Sequence, residues 1–213
     1  MKKRKKRLVY IAIGLLVSFV LWTGAVCLVD VRPVGPQNSL VGFATLNQLI
    51  HDRTGVHMPL YVITDWLGLV PIGFVMAFAV LGLAQWIQRK HLFRVERSIL
   101  VLGVFYLVVL AAYVLFECVA VNYRPVLIGG RLEASYPSST TMLVLCVMPT
   151  VGMQLHARIR DIRLKRCAMF AITAFTVFMV VGRLVSGVHW FTDIIGGTLL
   201  SAGLATMYCA LIE

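Results

Sequence analysis

The sequence predicts an all-α, polytopic membrane protein with six transmembrane helices, and three observations carry that prediction. Hydrophobic residues make up 60% of the 213 residues and mean hydropathy is +0.88, against roughly 45–50% apolar residues in a soluble domain. The apolar residues fall into six long runs. Lysine and arginine gather in alternate connections between those runs.

A hydrocarbon core about 30 Å thick needs about 20 apolar residues per helix and offers no water to unpaired backbone groups. Six runs meet this demand: 8–29, 58–87, 99–121, 138–155, 167–186 and 189–212. The first follows MKKRKKR and looks at first like a signal peptide. Its apolar stretch of about 22 residues is longer than the usual roughly 7–15-residue core, it lacks an A-x-A site, and Val26 before Cys27 does not suit lipoprotein cleavage, so an uncleaved anchor is expected. Between the first two runs, Pro33, Gly35 and Pro36 mark a turn. SLVGFATLNQLIHDRTG then reads as a short amphipathic helix with Leu40, Phe43, Leu46, Leu49 and Ile50 on one side, lying in the membrane interface. The expected organisation is a basic N-terminus and anchor over 1–29, an extracytoplasmic loop over 30–57, and a core over 58–213.

Fifteen of the twenty Lys and Arg residues fall in the N-terminus and in the connections around 89–97 and 158–166. The remaining five are Arg32, Arg53, Arg124, Arg131 and Arg183. The positive-inside bias therefore predicts that both termini are cytoplasmic and that the 122–140 and 183–193 connections lie outside. The net charge of +11 is accounted for by these run ends. No basic motif on a soluble fold points to nucleic acid. The five cysteines, Cys27, Cys118, Cys146, Cys167 and Cys209, stand singly without CxxC or metal-ligand spacing and read as packing residues, so neither a metal nor a cofactor is expected.

Three stretches share the outer face: NYRP (122–125), YPSST (136–140) and GRLVSGVHWFTD (182–193). His189 and Asp193, four apart on the last predicted helix, would share a face, with the carboxylate holding one ring nitrogen and leaving the other free. Arg183 and Arg124 are permanently charged forks suited to a phosphoryl group. Pro137-Ser138 opens a helix, so that Ser138 and the free N–H groups of Ser139 and Thr140 would form an anion site at its positive end. Simpler readings attach to other residues. Asp65 reads as a polar contact buried in the bundle, with part of a substrate path as the alternative, and Trp66 and Trp190 read as interfacial aromatics. Gly196, Gly197, Ser201 and Gly203 read as a close-packing face. Arg131 and Glu133 form either a solvated loop pair or a gate.

These residues resemble the type 2 phosphatidic acid phosphatase superfamily, a membrane branch related to the vanadium haloperoxidases, whose pattern is K-x6-R-P, P-S-G-H and S-R-x5-H-x3-D. Arg124-Pro125 match the first element, Pro137-Ser138 begin the second, and Arg183, His189 and Asp193 fill the third; the resemblance spans roughly 58–211. It implies a six-helix bundle acting on a lipid-linked phosphate. His189 would attack phosphorus, Asp193 would orient it, and Arg124, Ser138 and Arg183 would hold the phosphoryl oxygens. Glu117 stands at the family lysine, Ser139 and Thr140 at the glycine and histidine, and Gly182 at the serine.

The family histidine protonates the leaving alcohol, a service worth ~10²–10⁴ in rate, and Thr140 is too weak an acid for it. A diphosphate needs no such help, because a departing phosphate has a second pKa near ~6. The resemblance therefore implies a lipid diphosphate, with a polyprenyl (undecaprenyl) diphosphate as the leading substrate. A substitute acid is the other solution, with His57 first, then Glu117, and His51 and Glu133 within range. A non-catalytic lipid-phosphate binder or transporter, or a phosphotransferase, would use the same cradle.

Overall fold

The computed structural model describes residues 2–213 as eight α-helices: α1 Lys2–Leu28, α2 Ala44–Thr54, α3 Met58–Leu67, α4 Leu69–Arg89, α5 Arg97–Cys118, α6 Ser139–Arg158, α7 Ile162–Val185 and α8 Phe191–Ile212. With α3 and α4 taken as one span, six of these stretches are long and apolar enough to cross a membrane. Among the described residues two short 3-10 turns, Pro36–Asn38 and Leu92–Arg94, and isolated β-bridges accompany them. The fold is therefore all-α with six spans, as hydropathy predicts. The limits differ at several places, with α1 beginning at Lys2 and α6 running on to Arg158. Helix α5 stops at Cys118, where the chain turns into a hairpin. Helix α7 begins early, because the Asp161 carboxylate caps it by accepting the Leu164 N–H at 2.7 Å, and its basic first turns extend the helix beyond the apolar run. Helix α8 begins at Phe191, two residues later than expected.

The second span breaks at Gly68. Pro71 has no N–H to give the carbonyl of Leu67, and its ring crowds that carbonyl, so the ladder is interrupted there. The Gly68 N–H turns inward to the carbonyls of Thr64 and Asp65 at 3.1 and 3.0 Å. A Cβ at Gly68 would lie 2.8 Å from the Asp65 carbonyl oxygen.

Helices α6 and α8 form the centre of the bundle: 56% and 50% of their apolar windows are buried, against 11–22% in the other four spans. The small residues of α8 make this possible, as their spacing predicts. Gly203 lets Leu16 of α1 approach, Gly197 lies under the Ser138 carbonyl, and Ser201 Oγ donates to the Met142 carbonyl at 3.2 Å. Gly196 lies against the ring of Tyr136, which also stacks on Phe19 and shares a 2.7 Å hydrogen bond with Thr23. A Cβ at Gly196 would sit 2.5 Å from that ring, and the ring is pinned on both sides. Gly196→Ala is accordingly expected to destabilise the fold by about 1–3 kcal/mol, the usual range for overpacking. A lowered thermal midpoint of the detergent-solubilised protein checks this; an unchanged midpoint contradicts it.

Helix α2 lies across the end of the bundle. Its buried residues are Ala44 and Asn47, while Leu46 and Leu49 of the expected apolar face are exposed. Asn47 clamps the start of α8: its Nδ2 donates to Thr192 Oγ1 at 3.0 Å and its Oδ1 accepts the Thr192 N–H at 3.2 Å. At the opposite, basic end, Arg158 pairs with Glu96 at 2.7 Å and Arg4 with Glu213 at 3.1 Å.

Candidate active site

Two connections build the site. The first, between α5 and α6, folds into a hairpin. Ile128 and Arg131 exchange backbone hydrogen bonds of 3.0 Å across Gly129 and Gly130, whose φ values of 56° and 77° are those of the primed two-residue turn that favours glycine. Further along the arms, Arg124 N–H donates to Glu133 O at 3.0 Å and Ser135 N–H to Asn122 O at 2.9 Å. The two-residue alternation of an extended arm places Asn122 and Arg124 on one face, and both are buried while Tyr123 between them is exposed.

The second connection joins α7 to α8. Gly187 has a φ of 70°, and a Cβ there would meet the Gly55 carbonyl oxygen at 2.0 Å. The backbone of 55–57 thus lies directly on the turn, where His57 N–H donates to Ser186 O at 2.9 Å. The chain then carries His189 into the interior before α8 begins.

His189 and Asp193 are therefore not two positions on one helical face. His189 precedes the N-cap, Trp190, and Asp193 sits in the first turn of α8, where its carboxylate accepts the Trp190 N–H at 2.9 Å. A carboxylate is favoured at this positive helix end. The direct histidine–carboxylate bond expected from the spacing is absent: His189 Nδ1 lies 3.9 Å from Asp193 Oδ2. Ser135 fills the gap. Its Oγ is 3.0 Å from His189 Nδ1 and donates to Asp193 Oδ2. Asn122 Nδ2 donates to the other carboxylate oxygen at 3.3 Å. Trp190, expected at the membrane interface, is instead only 3% exposed. Its indole N–H donates to Tyr123 O at 2.8 Å, and His51 packs on its ring at 5.4 Å. Trp66 is 70% exposed, as an interfacial residue would be.

Arg183, in the last turn of α7, is 1% exposed. It reaches Thr64 Oγ1 and Asp65 Oδ1 at 3.4 Å each, and its Cζ stands 4.9 Å from the centre of the Tyr61 ring. The Arg124 Cζ stands 5.9 Å from the same centre, so Tyr61 gathers both cations through its π-system. Asp65 is not the buried contact expected. Its side chain is 58% exposed, and it serves as the partner of Arg183. Arg124 is paired with Glu133 at 3.2 Å, which gives the loop carboxylate a specific partner other than Arg131.

Four buried nitrogens in this group have no hydrogen-bond partner: Arg124 Nε, which only ion-pairs with Glu133, Arg124 Nη1, Arg183 Nε and His189 Nε2. A buried donor without a partner is costly, and two guanidinium donors beside a bare imidazole nitrogen form an arrangement that an anion would complete. Burial first, then the charges of Arg124 and Arg183, pushes the pKa of His189 well below its usual 6.5. The ring is thus held neutral, with a lone pair available.

The remaining expected residues divide into two groups. Ser138 is the N-cap of α6, with its Oγ facing the Thr141 N–H at 3.5 Å and its own N–H bonded to Asp193 O at 3.1 Å, which ties the start of α6 to the start of α8. Ser139 and Thr140 line an apolar cavity of about 880 Å³ between α4, α5 and α6, bounded also by Asp65, Phe78, Leu102 and Val109. Neither proposed substitute acid reaches His189 through a hydrogen bond. The exposed His57 ring turns back on its own loop, with Nε2 2.8 Å from the Thr54 carbonyl oxygen. Glu117, in the last turn of α5, borders a narrow crevice shared with Ser135 and Ser139.

Sequence reasoning passed over Ser135, Asn122 and Tyr61. Asn122 opens the NYRP motif and Ser135 immediately precedes YPSST, and polar residues in or beside a motif at a membrane end were the available signal. Tyr61 had none, because an aromatic residue in an apolar run reads as packing.

Residues 122–213 match the family model of the PAP2 superfamily, a stretch that begins at Asn122 and contains Arg124, Ser135, Arg183, His189 and Asp193. No curated protein matches the sequence. The fold is similar to the crystal structure of a transmembrane PAP2-type phosphatidylglycerolphosphate phosphatase from Bacillus subtilis, with a TM-score of 0.60, 18% identity and 94% of each chain covered.

Proposed function

We propose that this chain, a PAP2-superfamily protein over residues 122–213, is an integral membrane phosphatase that hydrolyses a lipid-linked phosphate through a phosphohistidine on His189. The observation that carries the proposal is the buried, unpartnered Nε2 of His189 beside two guanidinium groups with unpartnered donors. A neutral imidazole nitrogen is a competent nucleophile, and the arginines supply charge where phosphoryl charge spreads in the transition state. Asp193 stabilises the imidazolium that forms, and water then releases phosphate. Ser139 and Thr140 stand in the first turn of α6, where dipole and amides favour an anion, while Ser138 is engaged in capping that helix and in its bond to Asp193 O.

The substrate is proposed to be a lipid diphosphate, with a polyprenyl diphosphate such as the undecaprenyl carrier as the leading candidate. Thr140 cannot protonate an alkoxide, and the His57 ring is engaged with the Thr54 carbonyl of its own loop. A phosphate leaving group needs no proton. The apolar cavity at Ser139 and Thr140 offers room for the chain of such a lipid. The site lies at the end of the bundle away from the basic termini, which supports an extracytoplasmic reaction with both termini in the cytoplasm.

The test compares phosphate release by the purified protein from lipid monophosphates and diphosphates, with and without Thr140→His. The wild type is expected to favour diphosphates. The new histidine is expected to raise monophosphate turnover by about tenfold or more, within the range of a general acid, and to leave the diphosphate rate within about threefold. Faster monophosphate cleavage by the wild type would refute the leaving-group argument. Binding of both lipids without release would point to a lipid-phosphate binder.

A pH profile follows from the state of His189. Its pKa in the free protein is pushed well below 6.5, and only the neutral ring attacks, so protonation becomes inhibitory only beneath that value. The NMR signals of the His189 ring are expected to remain those of the neutral form as the pH falls through 6.5. A ring half-protonated at 6.5 contradicts the assigned environment.

A further inference from the structure

We propose that Ser135 is the positioning residue through which Asp193 acts on His189, its hydroxyl standing between the carboxylate and Nδ1 and holding the ring in the tautomer that leaves Nε2 bare. The inference rests on the phosphohistidine reading and adds a component to it.

The geometry leaves little choice of roles. At 3.9 Å, Asp193 Oδ2 is beyond hydrogen-bond range of His189 Nδ1. Ser135 Oγ is within range of both atoms. A serine hydroxyl has one proton to donate. An ionised carboxylate can only accept, so that proton goes to Asp193 Oδ2. The serine oxygen can then only accept from the ring, which places the ring proton on Nδ1. The lone pair is left on Nε2, the atom that is buried without a partner beside the arginines. Ser135 is itself fixed, because its N–H donates to Asn122 O at 2.9 Å and Asn122 holds the other oxygen of the same carboxylate.

In the reaction the Nε2 lone pair forms the N–P bond while the P–O bond to the leaving group breaks, its electron pair departing with the leaving oxygen. The ring keeps its Nδ1 proton and becomes a cation. Ser135 Oγ accepts the now stronger hydrogen bond, and the negative charge of Asp193 stands behind it. Water then attacks phosphorus: a P–O bond forms, the N–P bond breaks with its electron pair returning to Nε2, and the protons of the water leave on the released dihydrogen phosphate.

Two measurements test this. In protein labelled with ¹⁵N at histidine, the His189 signals, assigned by their loss in His189→Gln, report the tautomer without any turnover. The wild type is expected to be protonated at Nδ1 with Nε2 bare, and Ser135→Ala to show a mixture. A wild-type ring protonated at Nε2, or an alanine variant with unchanged ring signals, overturns the proposal.

In kinetics, Ser135→Ala is expected to lower kcat by about 10- to 100-fold, the scale seen for outer partners of metal-binding histidines, with KM and inhibition by inorganic phosphate unchanged. In an Asp193→Asn background the same substitution is expected to cost less than about threefold more, since groups acting as a unit are not additive. Full additivity, or an equal rise in KM, overturns the relay. A wild type that releases no phosphate from any lipid phosphate defeats the phosphatase reading alone, and the tautomer measurement still decides the role of Ser135.

Discussion

His189→Ala is expected to reduce phosphate release on the order of 10⁴-fold or more while leaving lipid-phosphate binding within about threefold of the wild type. The reasoning is local. His189 is 4% exposed and makes its one side-chain hydrogen bond with Ser135. Removing the ring deletes the lone pair that would bond to phosphorus but leaves Arg124, Arg183 and the start of α6 in place. Asp193 keeps its bonds to Ser135, Asn122 and the Trp190 N–H, so the first turn of α8 retains its cap. The cavity left by the ring costs stability, and a thermal melt separates that cost from lost chemistry. Residual release at a tenth of the wild-type rate would rule out His189 as the nucleophile.

Arg183→Lys is expected to lower kcat/KM by about 10²–10³-fold, the loss typical of removing one transition-state donor, despite conserving charge. The guanidinium spans Thr64 and Asp65 with two nitrogens and keeps Nε free. An ammonium is one point with no fork, and it stacks less well on an aromatic ring. Asp65 borders the apolar cavity and Arg183 itself is buried, so a poorer partner also costs stability. Steady-state kinetics beside a thermal melt checks both halves. A lysine variant within about threefold of wild type would show that Arg183 serves the fold and not the phosphoryl group.

Much of the architecture was legible because the bilayer imposes a length and an apolar composition on each span. The runs beginning near residues 8, 58, 99 and 138 foretold α1, the α3–α4 span, α5 and α6. The glycine face of α8 was legible for a related reason, since small residues at helical spacing have few uses other than close approach. Arg183, His189 and Asp193 could be singled out because charge near a membrane span is costly without a purpose.

The structure differs where tertiary contacts outweigh local pattern. A spacing of four suggested one helical face for His189 and Asp193, but Gly187 under the 55–57 backbone and the Asp193 carboxylate on the Trp190 N–H start the helix after His189. Trp190 looked interfacial until the hairpin carbonyl of Tyr123 took its indole proton. Ser135 and Asn47 act across separations of 58 and 145 residues, and no periodicity encodes such partners.

The central claim is that His189 carries phosphorus during turnover. Protein mixed with radiolabelled lipid diphosphate, quenched in alkali within one turnover and digested, tests it most directly, since a phosphohistidine survives base and is lost in acid. The account predicts label that is stable in base, labile in acid and confined to the peptide containing His189, absent from His189→Ala, and rising before free phosphate appears. Phosphate release at the full rate with no label on that peptide at any time would contradict it.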